Sequence, residues 1–138
     1  MNSETFLVTG TMGCIGAWVL RNLVAEGVRV VATDLAADPV RPSLIMTQEE
    51  LAQVTFVQLD ITDLERLQAL VEEHQVTHII HLAGLQVPFC RANPSLGARV
   101  NVVGTVNIFE AARRFQGQVQ GLSYASSLAV LGPAHLYP

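Results

Sequence analysis

Three glycines in the stretch TGTMGCIG, at positions 10, 13 and 16, present the first chemical possibility in this chain of 138 residues. A glycine at 10 permits a tight turn out of a strand. A glycine at 13 removes the Cβ that would hold backbone away from a bulky anion, and one at 16 lets the next helix pack close to the sheet. The N–H groups of that helix's first turn, together with its dipole, favour phosphate charge. Gly10, Met12, Gly13, Cys14, Ile15 and Gly16 are therefore candidate contacts for a pyrophosphate. Asp34 lies 18 residues beyond Gly16, close to the roughly 20 expected of an acid that accepts the hydroxyls of a ribose. A carboxylate repels a 2′-phosphate, and Leu35, Ala36 and Ala37 bring no arginine to offset it. The pattern predicts a dinucleotide, NAD in preference to NADP. A second possible site closes the chain, where Ser126 and Ser127 leave an apolar strand ahead of a Gly132-Pro133 turn.

The elements that must position these residues are legible as periodicity. Apolar runs at 5–9, 28–33, 54–59, 77–82 and 119–125 alternate with helical patterns. "VRVVAT" and "VTHIIHLA" are nearly continuous, as strands buried on both faces of a parallel sheet require, and the last run reads as buried too. Ile15, Val19, Leu20, Leu23 and Val24 form one helical stripe closed by Glu26-Gly27. Thr62 and Glu65 have capping-box spacing before Leu64, Leu67, Leu70 and Val71. A third helix is predicted from Pro94 to about Gln116, and 36–50 reads as a long connection with at most one helical turn. Repeated β-α-β units of this kind imply an α/β fold: a doubly wound (Rossmann) parallel sheet of about five strands with helices on both faces. The span 1–138 reads as one domain.

Composition narrows the partners. Half the residues are apolar, 14% are charged and the net charge is −4. That balance argues against nucleic acid, which needs clustered cations. No basic leader with an apolar core opens the chain, and no uncharged run approaches the roughly 18 apolar residues of a membrane helix. Cys14 and Cys90 lack metal spacing, so free thiols in a cytoplasmic protein are expected, with Cys14 a small packing residue and no metal site. His74, His78 and His81 read as structural, Trp18 as helix packing, and His135 as a tail residue. The helix 99–116 is apolar all round: Val100, Val102, Val103, Val106, Ile108 and Phe109 leave it no polar side, so a further layer must cover it.

The spacing G-x-x-G-x-x-G resembles the short-chain dehydrogenase/reductase superfamily, and four further segments resemble its extended branch, the NAD-dependent epimerase/dehydratase family. These are "LDITD" (59–63), "HLAG" (81–84), "NVVGTVNIFEAAR" (101–113) and "SYASSLAVLG" (123–132). The resemblance implies that Asp60 meets the adenine amino group with Ile61 as apolar neighbour, and that Leu82, Ala83 and Gly84 line the nicotinamide ribose. It implies that Asn101 supports the helix and a water near the catalytic lysine, and that Ser127 orients a substrate hydroxyl. Leu131 stands where the family's segment has a tyrosine. Hydride transfer on a sugar or sugar-nucleotide is the implied reaction, with a Tyr-x-x-x-Lys pair moving the proton. The chain contains no such pair: its eight basic residues are all arginine, Tyr124 lies in a strand and Tyr137 has no residue four positions on. The expectation is the nucleotide-binding part of such an oxidoreductase, ending before its base and substrate lobe and inactive alone. The alternatives are a non-catalytic NAD-sensing module or partner subunit, or a remnant that binds nothing. Self-association through helix 99–116 is expected in the first two cases.

Overall fold

The computed structural model describes residues 4–132 and His135; Pro133, Tyr137 and the first three residues lie outside this description. Five parallel strands, β1 (Thr5–Thr9), β2 (Arg29–Asp34), β3 (Val54–Gln58), β4 (His78–His81) and β5 (Gly121–Tyr124), form one sheet in the order β3-β2-β1-β4-β5. The chain winds outward from β1 to β3, then returns to place β4 on the other side of β1. The carboxyl ends of β1 and β4 therefore splay at the switch in strand order, where a crevice opens. Register aligns Thr9 with both Thr33 and His81, and His81 with Tyr124, so one row of residues forms the upper edge of the sheet.

Helices cover both faces because neighbouring strand residues point to opposite sides. Val8, Val30, Ala32 and Val54 meet Leu20 and Val24 of helix α1 (Cys14–Ala25) on one face. Leu7, Val31 and Ile79 meet Leu67, Leu70 and Val71 of α3 (Leu64–Glu73) and Ile108 and Ala111 of α6 (Thr105–Arg114) on the other. Between β2 and β3 lie a 3-10 turn (Pro42–Leu44) and the short α2 (Gln48–Leu51), whose start carries a full capping box between Thr47 and Glu50.

Several expectations are corrected. Ile15 is 66% exposed, because the buried stripe of α1 runs through Gly16, Ala17, Leu20 and Val24 and leaves position 15 on the far side. Cys14 is exposed rather than packed, and Trp18 lies outside with the Arg21 guanidinium 5.2 Å from its ring. The cap of α3 is Asp63, whose carboxylate accepts the Arg66 N–H; Thr62 instead donates to Asp60. The single helix predicted from Pro94 to about Gln116 is a composite of α5 (Pro94–Ala98), a π-helical stretch (Arg99–Gly104) and α6, and an unpredicted short helix, α4 (Val87–Ala92), precedes it. β5 is an edge strand in this chain, with Ser123 and Tyr124 exposed, so its apolar composition overstates its burial. No helix among the described residues is long and apolar enough to cross a membrane.

One buried polar contact leaves no mark in the sequence pattern. Asn107 faces the core of α6 and its side-chain amide donates to the Ile61 carbonyl at 3.0 Å, tying that helix to the loop after β3. At Gly104, one turn before, a Cβ would strike the Ile61 side chain at 2.5 Å. Asn107→Ala leaves that carbonyl without its donor and should lower stability by about 1–3 kcal/mol in urea unfolding. A midpoint unchanged from the parent would show that the contact contributes nothing.

Candidate functional site

The crevice at the strand-order switch is built from backbone before any side chain matters. Gly10 has a φ of 75°, and a Cβ there would sit 2.6 Å from the Ala83 nitrogen. Only glycine combines the left-handed turn with so close an approach to β4's exit. The Thr33 carbonyl accepts the Gly10 N–H at 3.0 Å, the Thr11 N–H at 3.4 Å and the Thr11 hydroxyl at 3.2 Å. These bonds pin the loop to β2. A Cβ at Gly16 would collide with the Gly10 carbonyl oxygen and Thr11 Cα, so this glycine packs the helix on its own loop. At Gly13 a Cβ would approach the Gly10 oxygen at 3.1 Å and otherwise meet open space.

A cavity of about 370 Å³ opens above this loop. Gly10, Met12, Gly13, Asp34, Asp60, Ile61, Leu82, Ala83 and Gly84 all lie on its wall, so the structure brings nine of the sequence-selected residues together. Cys14, Ile15, Gly16 and Asn101 are not on that wall. Thr33, Leu35 and Val100 are on it although no motif singles them out; their neighbours Asp34 and Asn101 are the available signal.

The two carboxylates are held differently. Asp34 accepts the Met12 N–H at 2.9 Å through one oxygen and its neighbour Leu35 N–H at 2.8 Å through the other, which fixes its plane at the end of β2. Asp60 accepts the Thr62 N–H and hydroxyl through one oxygen, both at 2.8 Å. Its second oxygen has no partner among the described residues, so Asp60 keeps a hydrogen-bond acceptor beside apolar Ile61.

Asn101 and Ser127 belong to a neighbouring region. Asn101 grips the Leu85 backbone at two points, accepting its N–H at 2.7 Å and donating to its carbonyl at 2.9 Å. The π-helical stretch places it there. Ser127 lies just past β5, exposed, and lines a second cavity of about 570 Å³ with Gln86, Cys90, Arg91 and Asn101. Leu85 borders both cavities.

His81 links the two regions from below. Thr9 Oγ1 accepts the Leu82 and Ala83 N–H groups, each at 3.3 Å, so its own proton points at His81 Nδ1, 2.7 Å away. The ring's other nitrogen then donates to Thr105 at 3.1 Å, and the Thr105 hydroxyl donates to the Asn101 carbonyl at 2.8 Å. His78, by contrast, stacks on Phe6 with centroids 4.6 Å apart.

Burial holds the His81 imidazole below the usual histidine range. The folded ring therefore stays neutral where the unfolded chain already takes up a proton, near pH ~6.5. Stability should be steady above neutrality and fall as pH drops below that value, until the folded ring itself protonates. Urea unfolding at several pH values checks this, and His81→Asn should flatten the acid limb. Equal pH slopes in parent and variant would remove His81 from the account.

The match to the model of the NAD dependent epimerase/dehydratase family runs over residues 6–138. The chain is 32% identical to UDP-glucose 4-epimerase of Mus musculus, covering 98% of this chain and 41% of that protein. It superposes on the UDP-glucose 4-epimerase of Thermus thermophilus, solved with NAD, with a TM-score of 0.74 and 30% identity, over 90% of this chain and 38% of that one. An L-threonine dehydrogenase from Clostridium difficile gives 0.77 and 25%, over 94% and 38%. The chain thus spans well under half the length of the proteins it matches. Glycine loop, sheet order and family match agree over nearly its whole length, and the chain belongs to the NAD dependent epimerase/dehydratase family.

Proposed function

We propose that this chain binds NAD in the 370 Å³ cavity and forms the cofactor half of an oxidoreductase acting on a secondary alcohol of a sugar or sugar-nucleotide. The observation that carries the reading is the fixed pair of loop and acid. The Met12 N–H holds Asp34 in place, while Gly13 offers open space where any side chain would intrude. In this reading the N–H groups of Cys14 and Ile15 meet the pyrophosphate beside Gly13, whose own N–H donates to the Gly10 carbonyl, and Asp34 accepts the adenosine ribose hydroxyls. A 2′-phosphate at that position would face a carboxylate, which favours NAD over NADP. Asp60 accepts from the adenine amino group and Ile61 covers the ring. Leu82, Ala83 and Gly84 flank the nicotinamide end.

When bound, the nicotinamide supplies a hydride acceptor and donor. The chain's own residues then do the positioning: Ser127 orients the substrate hydroxyl, and Asn101 fixes Leu85 between the two cavities. The 138 residues contain no lysine and no Tyr-x-x-x-Lys, so proton transfer in this reading relies on groups outside them, and these residues alone turn over little. The missing contribution is about 10²–10⁴-fold in rate. The solved Thermus relative carries NAD, which supports the cofactor class.

We also propose that a second copy of the chain covers the helix at 99–116. Val102, Val106 and Phe109 recur at helical spacing on one side, at 60%, 52% and 43% exposure.

Titration calorimetry tests the cofactor reading. Gly13→Asp should weaken NAD by about a hundredfold or more, ~2.8 kcal/mol, with little loss of fold; unchanged affinity would reject the loop assignment. Asp34→Ala should narrow the NAD/NADP preference by about tenfold, and an unaltered ratio would take Asp34 out of the site. Light scattering at tens of micromolar should find dimers or larger species that Val106→Glu dissociates. A monodisperse monomer of the parent chain would sink the pairing.

A further inference from the structure

We propose that Arg91 makes the second cavity a subsite for an anionic group of the substrate, a carboxylate or a phosphate ester. The inference rests on the reading above only in taking the neighbouring cavity as the dinucleotide's. The subsite has its own geometry. Its volume, about 570 Å³, matches that of small-ligand clefts, and its mouth is open to solvent. Leu85 lines both this cavity and the first, so a ligand here lies beside the cleft's Gly84 end.

The cavity's charge is one-sided. Arg91 is on its wall, and no aspartate or glutamate is. Among the described residues the ion pairs are Arg66 with Glu73 and Arg113 with Glu110, while Arg21 and Arg114 lie over aromatic rings. Arg91 takes part in none of these, and its guanidinium has no hydrogen-bond partner among the described residues. Arg91 is exposed and, like Arg29, Arg41 and Arg99, has no ion-pair partner among the described residues; of these four it is the one on the wall of this cavity.

One role for Arg91 is at the end of α4, since it stands in that helix's last turn. A cation there complements the helix dipole by a fraction of a kilocalorie at an exposed site. That role is satisfied by charge anywhere in the turn and leaves the guanidinium's planar fork unused. The fork matches the paired oxygens of a carboxylate or phosphate. Of the two amides on the wall, that of Asn101 is engaged at both ends by Leu85, and that of Gln86 carries no charge to draw an anion. Ser127 lies on the same wall. A substrate whose hydroxyl meets Ser127 would therefore place its anionic group toward Arg91, and that pair of contacts fixes which carbinol carbon faces the first cavity.

Saturation-transfer NMR on the full chain, with and without NAD, tests this with three probes: D-glucuronate, D-glucose 6-phosphate and neutral D-glucose. At least one anionic probe should bind about tenfold more tightly than glucose, the size of one charge-assisted hydrogen bond. Which of the two does so identifies the anion as carboxylate or phosphate. Arg91→Gln should bring the preferred probe to parity with glucose, Arg91→Lys should keep part of the preference, and neither should alter NAD affinity. Thermal melts show whether each variant folds; if the glutamine variant does not, an undiminished preference in Arg91→Lys counts against the fork. Equal binding of all three probes by the parent chain, or a preference that survives Arg91→Gln, would overturn the proposal. Anion preference without NAD binding would leave the subsite standing and sink the dinucleotide reading instead.

Discussion

The rest of the site depends on the close approach of Gly10 to the backbone of Ala83. The carboxyl ends of β1 and β4 are adjacent strands' exits, and the chain must leave one without blocking the other. A left-handed glycine does so, with no room for even a methyl group between it and the next strand. Once the turn is made there, the Thr33 carbonyl gathers the Gly10 and Thr11 donors, and Asp34 is brought to the Met12 N–H. Loop, acid and strand exit are then one rigid unit before any ligand arrives. Preorganisation of this kind lowers the ordering cost of binding a flexible dinucleotide.

This part of the molecule is legible in the sequence because each step has a local cause. Gly10 and Gly16 mark positions where a side chain is excluded by backbone, and Asp34 ends a strand whose apolar run is unmistakable. Legibility fails where the cause is distant. Ile15 belongs to an apolar stripe by spacing, yet the sheet meets α1 one residue further round. Thr62 has the right neighbours for a cap, but Asp60 captures its hydroxyl and Asp63 takes the role. The π-helical stretch at 99–104 leaves no trace in hydrophobic periodicity; it inserts a residue's worth of rotation so that Asn101 reaches Leu85 while Ile108 and Ala111 stay in the core. β5 reads as buried from composition alone, since nothing in an apolar run tells a central strand from an edge.

The two cavities also differ in charge, and the difference runs across Leu85. Asp34 and Asp60 stand on the wall of the first, where the proposed ligand presents hydroxyl and amino donors. Arg91 stands on the wall of the second. An acidic pocket for hydrogen-bond donors beside a cationic pocket for an acceptor would orient a cofactor and a substrate independently. His81, neutral beneath both, joins the strand ends to the carbonyl of Asn101 without adding charge to either.

The most direct test of the central claim is the amide spectrum of the isotopically labelled chain as NAD is added. The account predicts that the largest shifts fall on Gly10, Met12, Gly13, Cys14, Leu35 and Gly84, with α6 little affected. Shifts confined to other surfaces, or none at saturating NAD, would contradict it.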